Sequence, residues 1–176
     1  MRVTTWAEYG LIVSIHLARH SGEGPVAARE LSEQEKRALE GRAPFRAEAA
    51  DLLDDFKPAV VSFHFGLPSP QLLARVRALG AKIFASATTV DEAHWLEAHG
   101  VDAVIAQGIE AGGHRGIFLS DDLTTQVGTF ALLPQVVQNV KVPVIAAGGI
   151  ADAKGVAAAI ALGAAGVQIG TAYLLC

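Results

Sequence analysis

One short segment of this 176-residue chain concentrates side chains that could do chemistry. It runs from Gln107 to Gly116, reads QGIEAGGHRG, and holds a carboxylate, an imidazole and a guanidinium between glycines. Glycines let a backbone approach a flat ligand closely, and histidine is the side chain that exchanges protons near neutral pH. The segment therefore predicts a ligand site with His114 as its acid-base group. A glycine-rich surface loop with a solvated histidine is the alternative.

Two further glycine segments are typical of phosphate binding. Gly148 and Gly149 precede a helix that we expect to begin near Asp152, and the N–H groups of such a turn can receive a phosphate dianion. The segment from Gln168 to Thr171 adds a hydroxyl that can donate to a phosphate oxygen. A tight strand-to-helix turn without a ligand is the alternative for the glycine pair.

A second histidine is predicted at a strand end. Alternation along SFHFG places Ser62 and His64 on one face and Phe63 and Phe65 on the other. We expect Ser62 and His64 to be candidates for a substrate pocket, although a histidine between aromatic residues is more often a hydrogen-bonded core residue. The sequence has no metal-ligand spacing such as HExxH or CxxC, and no GxSxG to support a serine triad. No metal site is predicted.

Regular elements must position these residues. From residue 59 onward, β-branched runs alternate with Ala- and Leu-rich helical patterns, which predicts βα units around a parallel sheet. The predicted strands are Val60–Phe65, Lys82–Ala87, Asp102–Gln107, Val142–Ala147 and Gly166–Ile169. Ligands of parallel α/β folds bind at the carboxyl ends of strands. The long connection after the third strand, which carries His114, is therefore the expected place for chemistry.

The helices carry their own start signals. Ser69 before Pro70 predicts one helix start, Asp152 another, and Thr89 with Glu92 has the spacing of a capping box. A helical stripe is predicted to face the sheet through Phe130, Leu133, Val137 and Val140. A further helix is predicted over residues 47–56, within a first segment of 58 residues that otherwise reads as mostly helical or irregular.

Composition excludes several classes of function. The chain is 51% hydrophobic and 18% charged with a net charge of −4, which is typical of a globular domain with a real core. It has no run of Lys or Arg, so binding to nucleic acid or to an anionic membrane is not expected. No apolar stretch approaches the ~20 residues of a membrane span. The single cysteine, Cys176, cannot form an internal disulfide, and we expect a cytoplasmic protein.

Several motifs together resemble those of the nitronate monooxygenases, formerly called 2-nitropropane dioxygenases. They are, in order, VVSFHFGLP, KIFASATTVDEA, VIAQGIEAGGHRG, PVIAAGGIAD and GAAGVQIGTAYL, and they extend from about Pro58 to Leu174. The resemblance implies a TIM-barrel core, noncovalent FMN, and oxidation of alkyl nitronates or nitroalkanes by dioxygen to a carbonyl compound and nitrite. At matching positions it implies His114 as the active-site histidine and cofactor contacts at Gln107, Gly112, Gly148, Gly149, Gln168, Gly170 and Thr171.

Two alternative functions remain open at this point. Flavin-dependent enoyl-acyl carrier protein reductases share these motifs, and a non-catalytic remnant that binds a phosphate ligand would retain them as well. An eight-stranded barrel takes ~250 residues, whereas five strands are predicted here. We therefore expect a truncated TIM-barrel type α/β fold that lacks the N-terminal strands and the C-terminal helix. The expected parts are residues 1–58 and an FMN-binding part-barrel at 59–176, with self-association through uncovered strand edges.

Overall fold

The computed structural model describes residues 45–175. Residues 1–44, and with them most of the predicted first segment, lie outside the described residues. The described helices and strands are α1 (Ala47–Phe56), β1 (Val60–Phe63), α2 (Pro70–Ala78), β2 (Lys82–Ala87), α3 (Val90–Ala98), β3 (Ala103–Gln107), α4 (Thr129–Asn139), β4 (Val144–Ala147), α5 (Ala153–Ala161) and β5 (Gly166–Gln168). Short 3-10 helices span Leu123–Thr125 and Thr171–Leu175. We call the connection between β3 and α4 the 108–128 loop.

The strands form one sheet in the order β1-β2-β3-β4-β5. Strands β2 to β5 pair in parallel, with Val104 opposite Val144 in the central pair. Every residue of β3 is buried, as expected of a parallel strand covered on both faces. Strands that follow one another in the chain are neighbours in the sheet and are joined by helices. This arrangement confirms the predicted parallel α/β fold of the truncated TIM-barrel type.

The described residues divide into two compact units, one with residues 45–62 and 67–83 and the other with residues 63–66 and 84–175. In the first unit, α1 and α2 bury Leu53 and Val76, and Arg75 of α2 forms ion pairs with Asp51 and Asp54 of α1. The largest fully buried apolar side chains of the second unit come from α3, β3 and α4. They are Leu96, Val104, Ile105, Leu132, Leu133 and Val136.

Local signals determine where most helices begin. The side chains of Ser69, Thr89 and Asp152 each accept a hydrogen bond from the backbone N–H three residues later, which confirms the predicted N-caps. Helix α1 has its predicted bounds. Strand β4 begins two residues later than predicted, at Val144, because Pro143 has no N–H to donate to the ladder.

The structure corrects the ends of β1 and the buried face of α4. Strand β1 ends at Phe63 rather than Phe65, because Phe65 and the glycine after it have φ values of 65° and 84° that turn the chain. In α4 the buried residues are Thr129, Leu132, Leu133 and Val136, whereas Phe130, predicted to face the sheet, is 45% exposed. The Thr129 hydroxyl lies 2.9 Å from the carbonyl oxygen of Gly148, and this contact fixes the rotation of the helix.

Within residues 45–175, no helix has the length and apolar character needed to cross a membrane. The same part of the chain has no group of three or more His, Cys, Asp or Glu side chains that could hold a metal ion.

Candidate functional site

Three glycine-bearing segments meet at the carboxyl ends of β3, β4 and β5, all within the second unit. A Cβ atom added to Gly148 would lie 2.9 Å from the nitrogen of Ala111, in the 108–128 loop. A Cβ atom on Gly112 of the same loop would lie 2.7 Å from Oγ1 of Thr171. The loop after β3 therefore contacts both the glycine turn after β4 and the residue that follows Gly170 after β5. Gln168 is the last residue of β5.

A carboxylate at the base of the 108–128 loop supplies the cap of α4. The N-cap residue of α4 is Gly128, which has no side chain to satisfy the first N–H groups of the helix. The Glu110 side chain caps the helix in its place, because its Oε2 accepts from the Thr129 N–H at 2.8 Å and lies 2.9 Å from the Thr129 hydroxyl. The negative charge also lies at the positive end of the helix dipole. The cap of α4 is thus provided from outside the helix.

The same hydrogen bonds shift the ionisation of Glu110. Partial burial alone would raise its pKa, but hydrogen bonds from its own backbone N–H and from Thr129, with the charge of Arg115, hold the pKa of Glu110 below its ordinary value. Arg115 in turn donates to the carbonyl oxygens of Gly108 and Ile109, each at 2.6 Å. The base of the loop is therefore closed by the two charged side chains of the QGIEAGGHRG segment.

The backbone around His114 is held by two side chains. Gln107 Nε2 donates to the His114 carbonyl oxygen at 3.0 Å, and Gln107 Oε1 accepts from the Gly116 N–H at 2.7 Å. His64 Nε2 lies 3.1 Å from the same carbonyl oxygen, so this nitrogen carries the proton. The structure brings His64, Gln107 and His114 together. Ser62 is half-buried on β1, in the first unit.

The surroundings of His64 favour its neutral form. Burial is the main cause that lowers the pKa of His64, and the neighbouring His114 lowers it further. The hydrogen bond to the His114 carbonyl and the charge of Glu92 raise it without reversing the shift. The Phe65 ring meets both imidazoles edge-on, with centroids 4.4 Å from His64 and 6.0 Å from His114. An aromatic wall therefore flanks the histidine pair.

Several polar atoms near the 108–128 loop have no partner in the protein. Among the described residues, the buried side-chain atoms without a hydrogen bond are His114 Nδ1 and Gln126 Oε1. Within the same residues, the backbone N–H groups of Gly149 and Gly170 donate to no protein acceptor. Buried polar groups are nearly always satisfied in native structures. The unpartnered imidazole nitrogen is thus available to a bound molecule.

Sequence reasoning missed the role of Glu92. Its spacing from Thr89 predicts a carboxylate that caps its own helix, and Thr89 does accept from the Glu92 N–H at 3.2 Å. The Glu92 side chain is instead 1% exposed and accepts from the N–H groups of Thr88, Phe118 and Leu119. A capping-box pattern gives no signal that distinguishes these two roles.

Comparison with known proteins shows the family of this chain. The family model described as nitronate monooxygenase matches residues 18–176. The nitronate monooxygenase of Paraburkholderia phytofirmans is 55% identical over 120 residues, which cover 68% of this chain and 33% of that protein. The nitroalkane oxidase structure from Streptomyces ansochromogenes matches with a TM-score of 0.67 and 46% identity, over 72% of this chain and 37% of that one.

A mutant of FabK from Thermotoga maritima is also similar in structure, with a TM-score of 0.69 and 31% identity over 99% of this chain and 60% of that one. The chain spans about a third of the length of the curated relative it matches. The family model covers most of the sequence, including every residue of the 108–128 loop and both glycine segments. The chain belongs to the nitronate monooxygenase family.

Proposed function

We propose that the chain uses FMN to oxidise alkyl nitronates, with dioxygen as the electron acceptor, to a carbonyl compound and nitrite. In this reaction two nitronates and one dioxygen give two carbonyl compounds and two nitrite ions, so each broken carbon–nitrogen bond is replaced by a bond from carbon to one oxygen atom of dioxygen. Family membership supports the proposal, as does the structural likeness to a nitroalkane oxidase. The observation that carries it is the meeting of the His114 loop with Gly148, Gly149 and Thr171 at one edge of the sheet.

The residues of this edge fit a flavin with a phosphate tail. The free N–H groups of Gly149 and Gly170, with the hydroxyl of Thr171, would hold the phosphate. Gly148 would let the backbone pass close to it. The remaining predicted contacts would hold the ring system, and they are Gln107, Gly112 and Gln168. FMN would supply a site that accepts electrons from the nitronate and passes them to dioxygen. We propose residues 59–176 as the part of the chain that binds it.

His114 is the residue that we propose for acid-base chemistry. Its Nδ1 is buried and has no protein partner, so the nitrogen is free to meet a substrate. A protonated imidazole would hold the anionic nitronate, and a neutral one would remove the α-proton of a nitroalkane to form the nitronate in place. His64 is a proposed pocket residue within this unit, and the pocket role of Ser62, in the first unit, stays a prediction. His64 fixes the backbone of His114 through its carbonyl oxygen.

Flavin titration followed by anaerobic reduction tests this function. The chain should bind FMN, and a nitronate added without oxygen should bleach the flavin absorption. A protein that takes up no FMN would contradict the proposal. In His114→Ala, turnover of nitroalkanes should fall by a factor of about 100 or more, within the range of general acid-base catalysis. FMN affinity should stay within about threefold, in keeping with a side chain that serves the substrate.

The exposed histidine of α3 provides a matched control for that variant. His94→Ala removes an imidazole from the same unit, one whose Nε2 lies 3.0 Å from the carbonyl oxygen of Asn139. It should keep both turnover and flavin affinity. Equal losses of turnover and flavin in His114→Ala would reject the acid-base role. NADH oxidation with an enoyl thioester tests the reductase alternative, and its appearance without nitronate turnover would favour that reading.

We further propose a cytoplasmic protein that acts on small molecules and associates with itself through its sheet edges. Sedimentation velocity over a range of protein concentrations tests the last point. A single monomeric species at all concentrations would contradict self-association.

A further inference from the structure

Glu92 is a buried carboxylate on the first turn of α3, and its side chain accepts hydrogen bonds from residues outside that helix. Its Oε2 accepts from both the N–H and the hydroxyl of Thr88, each at 2.7 Å. Thr88 directly follows β2, at the carboxyl end of the sheet. Among residues 45–175, the ion pairs found do not include Glu92. The charge of this carboxylate is therefore compensated by hydrogen bonds.

The other oxygen of Glu92 holds the returning half of the 108–128 loop. Its Oε1 accepts from the N–H of Phe118 at 2.6 Å and from that of Leu119 at 3.2 Å. Only three residues separate Phe118 from His114, and Gln107 holds the other side of that short segment. The Phe118 ring is fixed as well, because it packs edge-on against Trp95 of α3 at 5.2 Å. The histidine segment is thus clamped at both ends.

The Thr88 hydroxyl forms a second connection between Glu92 and the 108–128 loop. Its hydroxyl donates to Glu92, so its oxygen is left to accept, and it does so from Gln126 Nε2 at 2.8 Å. Gln126 belongs to the last part of the same loop. Hydrogen bonds to a charged acceptor are roughly twice as strong as neutral ones. The Glu92 carboxylate therefore connects the residue after β2 to the loop directly. It also orients the Thr88 hydroxyl, which accepts the hydrogen bond from Gln126 of the same loop.

We propose that Glu92 is a positioning residue, which holds the loop so that His114 is oriented for turnover. This role rests on the function proposed above, because it acts through the His114 backbone and not through contact with the substrate. Both oxygens of Glu92 are needed as acceptors, one for each side. A glutamine of the same size has only one acceptor oxygen, so its NH2 group would face either the Thr88 N–H or the N–H groups of Phe118 and Leu119.

Amide hydrogen exchange on the flavin-free and flavin-loaded chain tests the clamp directly. Because Glu92→Gln leaves one side without an acceptor, the exchange rate of the Thr88 amide, or those of the Phe118 and Leu119 amides, should rise about tenfold or more. Exchange of the β3 amides should stay unchanged. The matched control is Glu97→Gln, which removes the same charge from the other end of α3, where Glu97 accepts from the Lys141 and Val142 N–H groups. It should leave the loop amides protected.

The unmodified chain provides a readout if Glu92→Gln does not fold. In it the Phe118 and Leu119 amides should exchange at least tenfold more slowly than that of exposed Gly113, since hydrogen-bonded amides need local opening to exchange. Equal rates in the unmodified chain would overturn the clamp. So would a folded Glu92→Gln variant in which the Thr88, Phe118 and Leu119 amides all exchange as in the unmodified chain, or equal loss of protection in Glu97→Gln.

Kinetics on the flavin-loaded chain separate a positioning role from a merely structural one. Glu92→Gln should lower kcat with a nitroalkane about tenfold more than with a preformed nitronate, because only the nitroalkane needs proton removal by a correctly oriented His114. FMN affinity should be retained. An equal loss with both substrates would overturn the positioning role. A parent chain without turnover would instead contradict the proposed function, while the exchange measurement would still decide the clamp.

Discussion

The two ends of the sheet in the second unit are built in different ways. At the amino ends of the strands, helices α3 and α5 are followed by Gly100 and Gly163, whose φ values are 78° and 97°. Their hydrogen bonds are local, such as Gly100 N–H to the Glu97 carbonyl and Gly163 N–H to the Ile160 carbonyl, both at 2.9 Å. At the carboxyl ends, the 108–128 loop depends on side chains from distant parts of the chain, including Glu92.

The unpartnered polar atoms support the proposal that the carboxyl end of the sheet receives the ligand. The turns at Gly100 and Gly163 donate to carbonyl oxygens of the helices they follow, whereas the residues before β4 are held by the side chain of Glu97. The described buried side-chain atoms without a partner, His114 Nδ1 and Gln126 Oε1, both lie on the carboxyl-end loop. Non-local ties make a loop rigid while leaving some of its polar groups free, which suits a preorganised site. The predictions below test whether the two ends really differ in this way.

The largest effect is expected at the base of the loop, in Gly108→Ala. The added Cβ would lie 2.0 Å from Thr129 Oγ1 and 2.3 Å from the Thr129 nitrogen, so backbone must move. We expect a loss of about 3 kcal/mol in the free energy of unfolding, at the upper end of ordinary overpacking. Urea unfolding followed by circular dichroism measures it. Gly166→Ala, with nothing within 4 Å of its added Cβ, should change stability by less than about 1 kcal/mol.

A smaller effect, limited to stability, is expected at the amino end in Gly163→Ala. The positive φ at position 163 strains any residue that has a Cβ atom. The Cβ atom of an alanine there would lie 2.8 Å from Val137 Cγ1. We expect a loss of about 2 kcal/mol from these causes. FMN affinity of the folded variant should not change, because the turn is at the far end of the strands. A tenfold weaker affinity would show that the two ends are not independent.

The smallest effect concerns pH. Because burial lowers the pKa of His64 below 6.5 in the folded chain, the unfolded chain takes up the proton first as pH falls. The contribution of a neutral His64 is therefore complete above about pH 6.5 and is lost as pH falls from there through the lowered pKa. The thermal midpoint should decrease over this interval, and His64→Gln should decrease less. An equal slope in both proteins would assign the effect to other groups.

Much of the fold could be predicted because its signals are local. Capping residues at Ser69, Thr89 and Asp152 determine helix starts from a few neighbouring residues, and all three were predicted correctly. Strand β3 is continuously apolar, and its burial on both faces follows from that alone. The order of glycine segments after successive strands also indicated that they would meet at one edge.

The details that escaped prediction depend on contacts between distant residues. The sequence pattern predicts that Phe130 faces the sheet, but the residue before it, Thr129, is the buried one. The contact of Thr129 with Gly148 turns the helix this way. The glycine at 108 predicts close approach of a ligand to the backbone, yet the space beside it is filled by Thr129. Glu92 looked like an ordinary capping residue. The roles proposed for His114 and the flavin contacts stay predictions.

The position of Glu110 has a consequence for transplanting segments between related enzymes. The N-cap residue of helix α4 is a glycine, and the carboxylate that accepts from the first N–H of the helix comes from the loop before it. A loop exchanged without regard to this position would leave the helix start without an acceptor, and a helix exchanged alone would leave the carboxylate without its donors. In chimeras, residues 108 to 132 should therefore be exchanged together.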